Sequence, residues 1–343
     1  VPLVGENRIL TRFGLQTIKA SPIEGLRALI EASGLMGQDI DDERAGFVLA
    51  PRLNACGRLG HARDAVRLLC DATGEEAARI AGMLARLNAE RQKTERGITE
   101  QAAAMAESEG MTGDDRRAIV LEDAQWHPGV VGIVCSRLVE RFGRPVVLLQ
   151  RGEDGMLKGS ARSIDGYSIH AGLEACSAHL ERFGGHEAAA GLTLRAERFE
   201  AFREALLRHA GEHIRPEQLV PSLRMDVDAV LRELTPEAVR AVRRLGPFGR
   251  GNPRPVVRLG GVQITDARRM GGDLRHLSLE IRDPRDGAGG GRLRAVWFGG
   301  GEHAAALVPG RRIDLAVEPR VDRWRGRERV EAHVRDVRLM DRE

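Results

Sequence analysis

The 343-residue chain has little cysteine, almost no lysine and no long apolar run. No stretch of about 18 consecutive apolar residues occurs, which excludes a transmembrane helix of ordinary length and predicts no membrane partner. The N-terminus has no basic stretch followed by an apolar segment, so no secretory signal is visible. The four cysteines, Cys56, Cys70, Cys135 and Cys176, form no CxxC pair and lie in apolar stretches. That excludes a zinc ribbon or a disulfide framework and predicts buried small hydrophobes in a reducing cytoplasm. Internal repeats are missing, and the glycine-rich stretch 287–291 is the one low-complexity patch. An initiator methionine is missing too. The opening Val1-Pro2-Leu3-Val4 reads like the middle of a folded domain, so the chain is expected to be a piece of a longer protein.

What is present is an ordinary globular composition, 42% hydrophobic and 30% charged, at a length that suggests two or three domains. The net charge is only +3, but it is unevenly spread. Residues 222–343 hold 25 arginines against 18 acidic residues, a net of +7, which leaves the remainder at −4. A basic C-terminal third predicts a polyanionic partner. The scarcity of lysine (Lys19, Lys93 and Lys158 alone) fits a genomic base-composition bias and carries no argument.

The pattern along the chain predicts an α/β domain preceded by a long helix and followed by an all-β barrel. Residues 1–70 are expected as the C-terminal remnant of a domain that begins upstream, and of these 1–45 read as helical and Gly-punctuated, with Leu26, Leu29 and Ile30 on one face. The Pro- and Gly-containing stretch 46–60 is expected as a loop with a short apolar anchor. Thr73 and Glu76 make a capping-box pattern at the start of a long helix over 71–112. Ile80, Met83, Leu84 and Leu87 form its apolar stripe, which lapses until Ile98 and Met105. About 34 residues make a rod of roughly 50 Å, polar in the middle and apolar at both ends, as suits a bridge between two lobes. Over 113–212, strands at 117–122, 145–150, 156–162 and 188–194 alternate with helices at 130–142, 168–183 and 198–209, which implies an α/β fold. Residues 213–254 are expected as a linker. Short strands at 256–259, 262–268, 274–282, 293–298, 313–317 and 329–334, with a hairpin signal at Trp324-Arg325-Gly326-Arg327, suggest a small barrel of OB-fold type over 255–343.

Four segments carry phosphate-binding chemistry. Arg52, Asn54 and Arg58 lie around the Asn54-Ala55-Cys56-Gly57-Arg58 stretch, where guanidinium forks can hold phosphate oxygens or stand as solvated surface groups. Lys158-Gly159-Ser160-Ala161-Arg162-Ser163 lies at a strand end, with Ser160, Arg162 and Ser163 as hydrogen-bond donors for one phosphate, or as an ordinary turn. In Phe183-Gly184-Gly185-His186, Gly184 and Gly185 allow close backbone approach to a ligand, and His186 stands before residues too small to fill a core. Trp126-His127-Pro128-Gly129 precedes a helix, and His127 either contacts an anion or caps that helix.

Taken together, these segments resemble the RecJ family of single-strand-specific exonucleases within the DHH phosphoesterase superfamily. Gly5-Glu6-Asn7-Arg8 with Phe13-Gly14-Leu15 resembles the stretch that follows the last metal-binding motif of the DHH domain. The 47–59 segment resembles the family's FxLAPRLNAAGRL, with Cys56 where Ala is usual. The 126–133, 159–163 and 184–191 segments resemble signatures of the DHH-associated domain, and 245–255 resembles the LGPFGxGNPxP passage into the family's OB-fold. The resemblance implies a 5′→3′ exonuclease on single-stranded DNA, a metal-dependent hydrolase of DNA repair and recombination. It would use two Mn²⁺ or Mg²⁺ ions held by a DHH domain upstream of Val1, with no metal ligand in this chain and no activity of this chain alone. It further implies that Ser160 and Arg162 grip the 5′-phosphate with help from Arg58 and Arg52. Asn54 would orient Arg58 or touch the strand. His186 would face the scissile phosphate as the catalytic residue of this chain. In the barrel, Trp297, Phe298 and Trp324 are candidates to stack on bases, with Trp324 in its polar hairpin preferred and Trp297 better suited to the barrel core. A helicase or a single-strand-binding protein is an expected partner by analogy. Two other readings stand beside this one, a non-catalytic single-strand-binding scaffold and a phosphodiesterase of oligonucleotides or cyclic dinucleotides.

Overall fold

A computed structural model of the protein describes residues 1–286, 291–324 and 326–340, with Arg323, Trp324 and Arg327 described by backbone alone. All of the glycine-rich patch except Gly291, together with Arg325, lies outside the described residues. In chain order the helices are α1 (Gly5–Thr17), α2 (Glu24–Ala32), α3 (Asp42–Arg44), α4 (Ala50–Leu59), α5 (Arg63–Cys70), α6 (Gly74–Ser108), α7 (Pro128–Phe142), α8 (Ile169–Ala175), α9 (Phe199–His213) and α10 (Pro236–Arg243). The strands are β1 (Ile119–Asp123), β2 (Val146–Arg151), β3 (Met156–Arg162), β4 (Arg182–His186), β5 (Ala189–Arg195), β6 (Val227–Ala229), β7 (Val257–Met270), β8 (His276–Arg282), β9 (Arg292–Trp297), β10 (Arg312–Trp324) and β11 (Arg327–Leu339). No helix among the described residues is long and apolar enough to cross a membrane. The chain forms two compact units, one of residues 21–39 and 44–222 and the other of residues 1–20, 40–43 and 223–343.

The first unit is α/β. Its sheet has the order β1-β2-β3-β5-β4, parallel between β1 and β2 and antiparallel elsewhere. Side chains alternate across it as strand geometry requires. Val147, Leu149, Leu157, Ala161 and Leu192 pack with α8 and α9 on one face. Ile119, Leu121, Val146 and Leu148 pack with α7 and the C-terminal half of α6 on the other. The expected strands agree with the observed ones to within two residues, but the helix expected over 168–183 ends at Ala175, and residues 182–186 form the edge strand β4. Gly184 and Gly185 have no side chains to signal a strand, and pairing with β5 decides their conformation.

The 46–60 stretch is not a loop. Residues 45–49 form a π-helical turn and α4 follows. Pro51 directly follows that π-helical turn, which carries the continuous helical run from α3 into α4 past a residue with no N–H to donate. The long helix α6 is present, but Thr73 makes no side-chain cap. Instead the Gly74 N–H donates to the Glu24 carboxylate on α2 at 2.7 Å, and Glu76 pairs with Arg67 at 2.6 Å. A carboxylate from a neighbouring helix thus occupies the positive end of α6. Of the cysteines, Cys56, Cys135 and Cys176 are buried, but Cys70 is exposed at the end of α5.

In the second unit, β7-β8-β9-β11-β10 closes into a barrel through a β10–β7 pairing. The two strands expected at 256–259 and 262–268 are one strand, β7, which carries Gly261 in the left-handed region (φ 67°). Its first part pairs with β10 and its second with β8. Leu259, Val262, Leu279, Ile281, Ile313, Leu315 and Val334 fill the interior. The stretch 213–254, expected as a linker, contributes β6 alongside β7 and α10 against β10 and β11. Trp324 pairs with Arg327 across the expected hairpin.

Two barrel carboxylates predict an acid-sensitive fold. Burial acts to raise the pKa of Asp314, but hydrogen bonds from Arg258, the Gly261 N–H and Arg338 outweigh it and hold the carboxyl below its ordinary value. Glu331 is likewise lowered, chiefly by the hydrogen bond with His333. A depressed folded-state pKa contributes stability that is present above the unfolded value of about 4 and is lost as pH falls through the lower folded value. The urea midpoint of the barrel is therefore expected to fall between about pH 5 and 3, and a midpoint that stays constant there would contradict these assignments.

Candidate phosphate-binding site

The register of β3, β5 and β4 puts the candidate residues on one face of the sheet, the face that carries α7. Residues at intervals of two share a face. Arg162 pairs with Ala189, which pairs with His186, and two residues along, Ser160 pairs with Gly191, which pairs with Gly184. Arg162 and His186 therefore occupy the two ends of one rung, about 10 Å apart at two strand spacings. Between and beside them lie Ala189, Gly191 and Gly184, so this part of the sheet is a shallow shelf open to a ligand. Gly185 has a positive φ of 151°, and a Cβ there would lie 2.4 Å from the Ala189 carbonyl oxygen, so this position requires glycine. His186 is exposed at the end of β4.

The N-terminal turns of α7 form the next wall. A methyl group on Gly132 would lie 3.1 Å from Ser160 Oγ and 3.3 Å from Arg162 Nη2. A methyl on Gly129 would strike the Arg58 carbonyl oxygen at 2.4 Å, and Arg58 Nη1 donates to the Gly129 carbonyl at 3.1 Å. The glycines of α7 thus let α4 and β3 approach the same helix, which brings Arg58 towards Arg162. The charge state of Arg58 registers this. Partial burial first, then repulsion from Arg91 and Arg162, lowers its pKa, against an opposing pull from Glu95. It remains a cation, as guanidinium groups do in proteins.

Arg91 and Glu95 are the residues that pattern reading missed. The polar middle of α6 is buried along one face. Asn88 and Glu95 are buried, at 4% and 8% exposure, in register with Ala77, Ala81, Leu84, Ile98 and Ala102. Arg91 donates to Glu95 at 2.7 Å and to Asn88 at 3.0 Å, and Arg137 donates to Glu95 at 3.0 Å. The signal was there to be read, because positions 88, 91 and 95 continue the 3- and 4-residue spacing of the apolar stripe with polar residues. A polar residue on a buried stripe needs a partner, and here the partners form a network.

The remaining candidates are placed as follows. Asn54 is exposed and stands one helical turn before Arg58 on the same face of α4. Arg52 is not tied to that face; its Nη1 donates to the Val48 carbonyl at 2.6 Å, and burial lowers its pKa. His127 caps α7, its Nδ1 accepting from the Gly129 N–H at 3.1 Å, which leaves Nε2 to carry the proton. Ser163 follows the end of β3, and its hydroxyl is engaged there, donating to the Tyr167 carbonyl at 2.7 Å. The Trp324 side chain lies outside the described residues. In the barrel unit, Trp297 packs against the core and stacks on His303 at 4.5 Å. Phe298 is 56% exposed, with His276 and His333 edge-on at 5.4 and 5.3 Å. It lies at the end of β9 beside β8, the surface that OB-folds use for oligonucleotides. No group of three or more His, Cys, Asp or Glu residues that could hold a metal ion occurs among the described residues. These residues do not fit a divalent metal centre.

Residues 115–212 match the DHHA1 domain and residues 225–336 match the RecJ OB domain. The chain is 37% identical over 342 residues to the single-stranded-DNA-specific exonuclease RecJ of Bacillus subtilis, a match that covers 99% of this chain and 42% of that protein. To the RecJ of Thermus thermophilus it is 38% identical over 284 residues, covering 83% of this chain and 40% of that protein. The crystal structure of RecJ from Thermus thermophilus in complex with Mg²⁺ aligns with the whole chain and half of that protein, at a TM-score of 0.83 and 34% identity. A second structure of the same protein, in complex with Mn²⁺, also gives a TM-score of 0.83. This chain thus spans about half the length of the relatives it matches.

Proposed function

The chain belongs to the RecJ family, and from that premise we propose that it supplies the 5′-phosphate and strand-binding surface of a single-strand-specific 5′→3′ DNA exonuclease. The observation that carries this reading is the meeting of Arg58, Ser160 and Arg162 on Gly129 and Gly132 of α7, beside a bare shelf that ends at His186. A terminal phosphate bears close to two negative charges and three acceptor oxygens. Two guanidinium forks and a hydroxyl match it in charge and in donor geometry. Arg91, oriented by Glu95 and Asn88, adds positive potential behind them. His186, one rung across from Arg162, is in position to hydrogen-bond the next phosphate, the one to be cleaved. Phe298, with its histidine neighbours, offers a base a stacking surface, a contact worth about 1–3 kcal/mol. Such stacking requires unpaired bases and so supports the single-strand preference.

Hydrolysis in this reading depends on Mn²⁺ or Mg²⁺ bound by residues that are not among those described. Two measurements test it. The purified chain should bind single-stranded DNA with log K falling by about 0.7 per phosphate contacted as log salt rises. Adding Mn²⁺ should not make the chain degrade that DNA. Salt-independent binding would favour a surface unrelated to phosphates, and metal-dependent digestion by the pure chain would refute the division of labour proposed here. Tighter binding of a cyclic dinucleotide than of a longer strand would favour the small-substrate phosphodiesterase.

A further inference from the structure

One rung beyond Ser160–Gly191–Gly184, on the same face, Lys158 pairs with Thr193, which pairs with Arg182. None of the three is used by the phosphate site described above. The rung borders an open cleft of about 560 Å³ lined by Lys158, Gly159, Arg182, Gly184, Gly191 and Thr193. We propose that this rung is a second anion subsite, which takes another phosphate of the same strand whose 5′-phosphate rests at Ser160 and Arg162. The proposal deepens the single-strand reading and depends on it.

The rung has the form that phosphate recognition requires. Lys158 and Arg182 stand at its two ends, two strand spacings or about 10 Å apart, with the Thr193 hydroxyl between them. Two long cationic side chains across such a gap can close on one phosphate from both sides, while threonine supplies a neutral donor. The floor beside it is kept low by Gly184 and Gly191, which share this face with Ser160. The Arg182 side chain is exposed and makes no hydrogen bond or ion pair among the described residues. Lys158 is bridged to Asp154 at 3.1 Å, but both side chains are more than half exposed. An exposed pair of that kind contributes little and is readily exchanged for a phosphate. Glu181, the neighbouring carboxylate on this edge, is engaged by Arg195 at 2.8 Å. The net field over the rung is therefore positive. Ser160 lies two residues along β3 from Lys158, about 7 Å away, so a continuous strand can meet both rungs.

The test uses the chain itself and a 5′-phosphorylated twelve-nucleotide oligothymidylate, with Kd measured across a salt series. The double variant Lys158→Ala/Arg182→Ala is expected to raise Kd about tenfold, the loss of a charge-assisted contact. It should also reduce the salt slope by about 0.7. Both side chains are exposed, so circular dichroism should be unchanged. A control double variant, Lys93→Ala/Arg96→Ala, removes the same charge from the exposed side of α6 and is expected to leave the slope as in the wild type. An equal drop in both variants would overturn the subsite in favour of a diffuse field, and so would no drop in either. The Arg162→Ala variant separates the two levels of the argument. If it loses 5′-phosphate preference while Lys158→Ala/Arg182→Ala binds normally, the subsite fails and the single-strand reading stands. If the wild-type chain does not bind the oligonucleotide, both fail.

Discussion

Arg162→Ala is expected to remove most of the chain's preference for a 5′-phosphate over a 5′-hydroxyl end. Arg162 is half-buried on β3, packed beside Gly132 of α7, with Ser160 two residues away on the same face. Its Nη1 donates to the neighbouring Ala161 carbonyl at 2.8 Å, which fixes the plane of the guanidinium and leaves its other donors for a ligand. A hydrogen bond between charged groups contributes about 1.5–3 kcal/mol, so the ratio of the two dissociation constants should fall about 10- to 150-fold. Arg162→Lys keeps the charge but loses the planar fork, and should recover only part of the ratio. The measurement is the Kd of the chain for one oligonucleotide with each 5′ end. A ratio unchanged in Arg162→Ala removes this residue from end recognition. A loss confined to Arg58→Ala would move the terminal phosphate to α4.

Glu95→Ala should be the most damaging single polar substitution in the α/β unit. The Glu95 side chain is 11% exposed and accepts from Arg91, whose own side chain is 12% exposed, and from Arg137. Truncation leaves Arg91 almost buried without its counter-charge, close to Arg58. Removing one member of a buried pair costs about 3–5 kcal/mol. Arg137 is 55% exposed and can turn to solvent or to Glu140, so the lower end, about 3 kcal/mol, is the expected loss here. For a unit of this size that corresponds to roughly 6–12 °C in Tm. Glu95→Gln retains the shape and an acceptor for one arginine, and should be milder. Arg91→Met combined with Glu95→Leu removes both charges together and should regain much of the loss, as apolar replacements of buried pairs do. A thermal shift below about 1 °C for Glu95→Ala would mean that water, not this carboxylate, balances the arginines.

The existence and length of α6 are readable from the apolar residues at Ile80, Leu84 and Ile98. The buried role of Asn88 and Glu95 is not, because a run without large apolar residues has the same appearance whether it meets water or a set of arginines. The 46–60 segment went the other way. Pro51 and Gly57 have the composition of breakers, but the π-helical turn at 45–49 carries the helical run past Pro51 without interruption. Strand β4 was hidden because two glycines carry no periodicity, and only its pairing with β5 reveals it. In the barrel, the apolar alternation of β8, β9 and β10 was legible. The closure of β10 onto β7 was not, since pairing between strands about 50 residues apart leaves no local trace.

For the candidate site, the chemistry was legible and the assembly was not. Ser160, Arg162, Gly184 and His186 could be picked out by residue type, and Arg58 by its neighbours. Only the register shows that Arg162 and His186 end one rung and that Ser160 shares their face, because a shift of one residue along a strand reverses every side chain. Local sequence by itself determined which segments are helix or strand wherever apolar periodicity was strong, and which side chains carry cationic or hydroxyl donors. Tertiary structure alone decided which of them meet. The approach of α4 and β3 to α7 depends on Gly129 and Gly132 being small enough for two backbones to come together, and close packing between distant segments is a property of the folded interior that no local window contains.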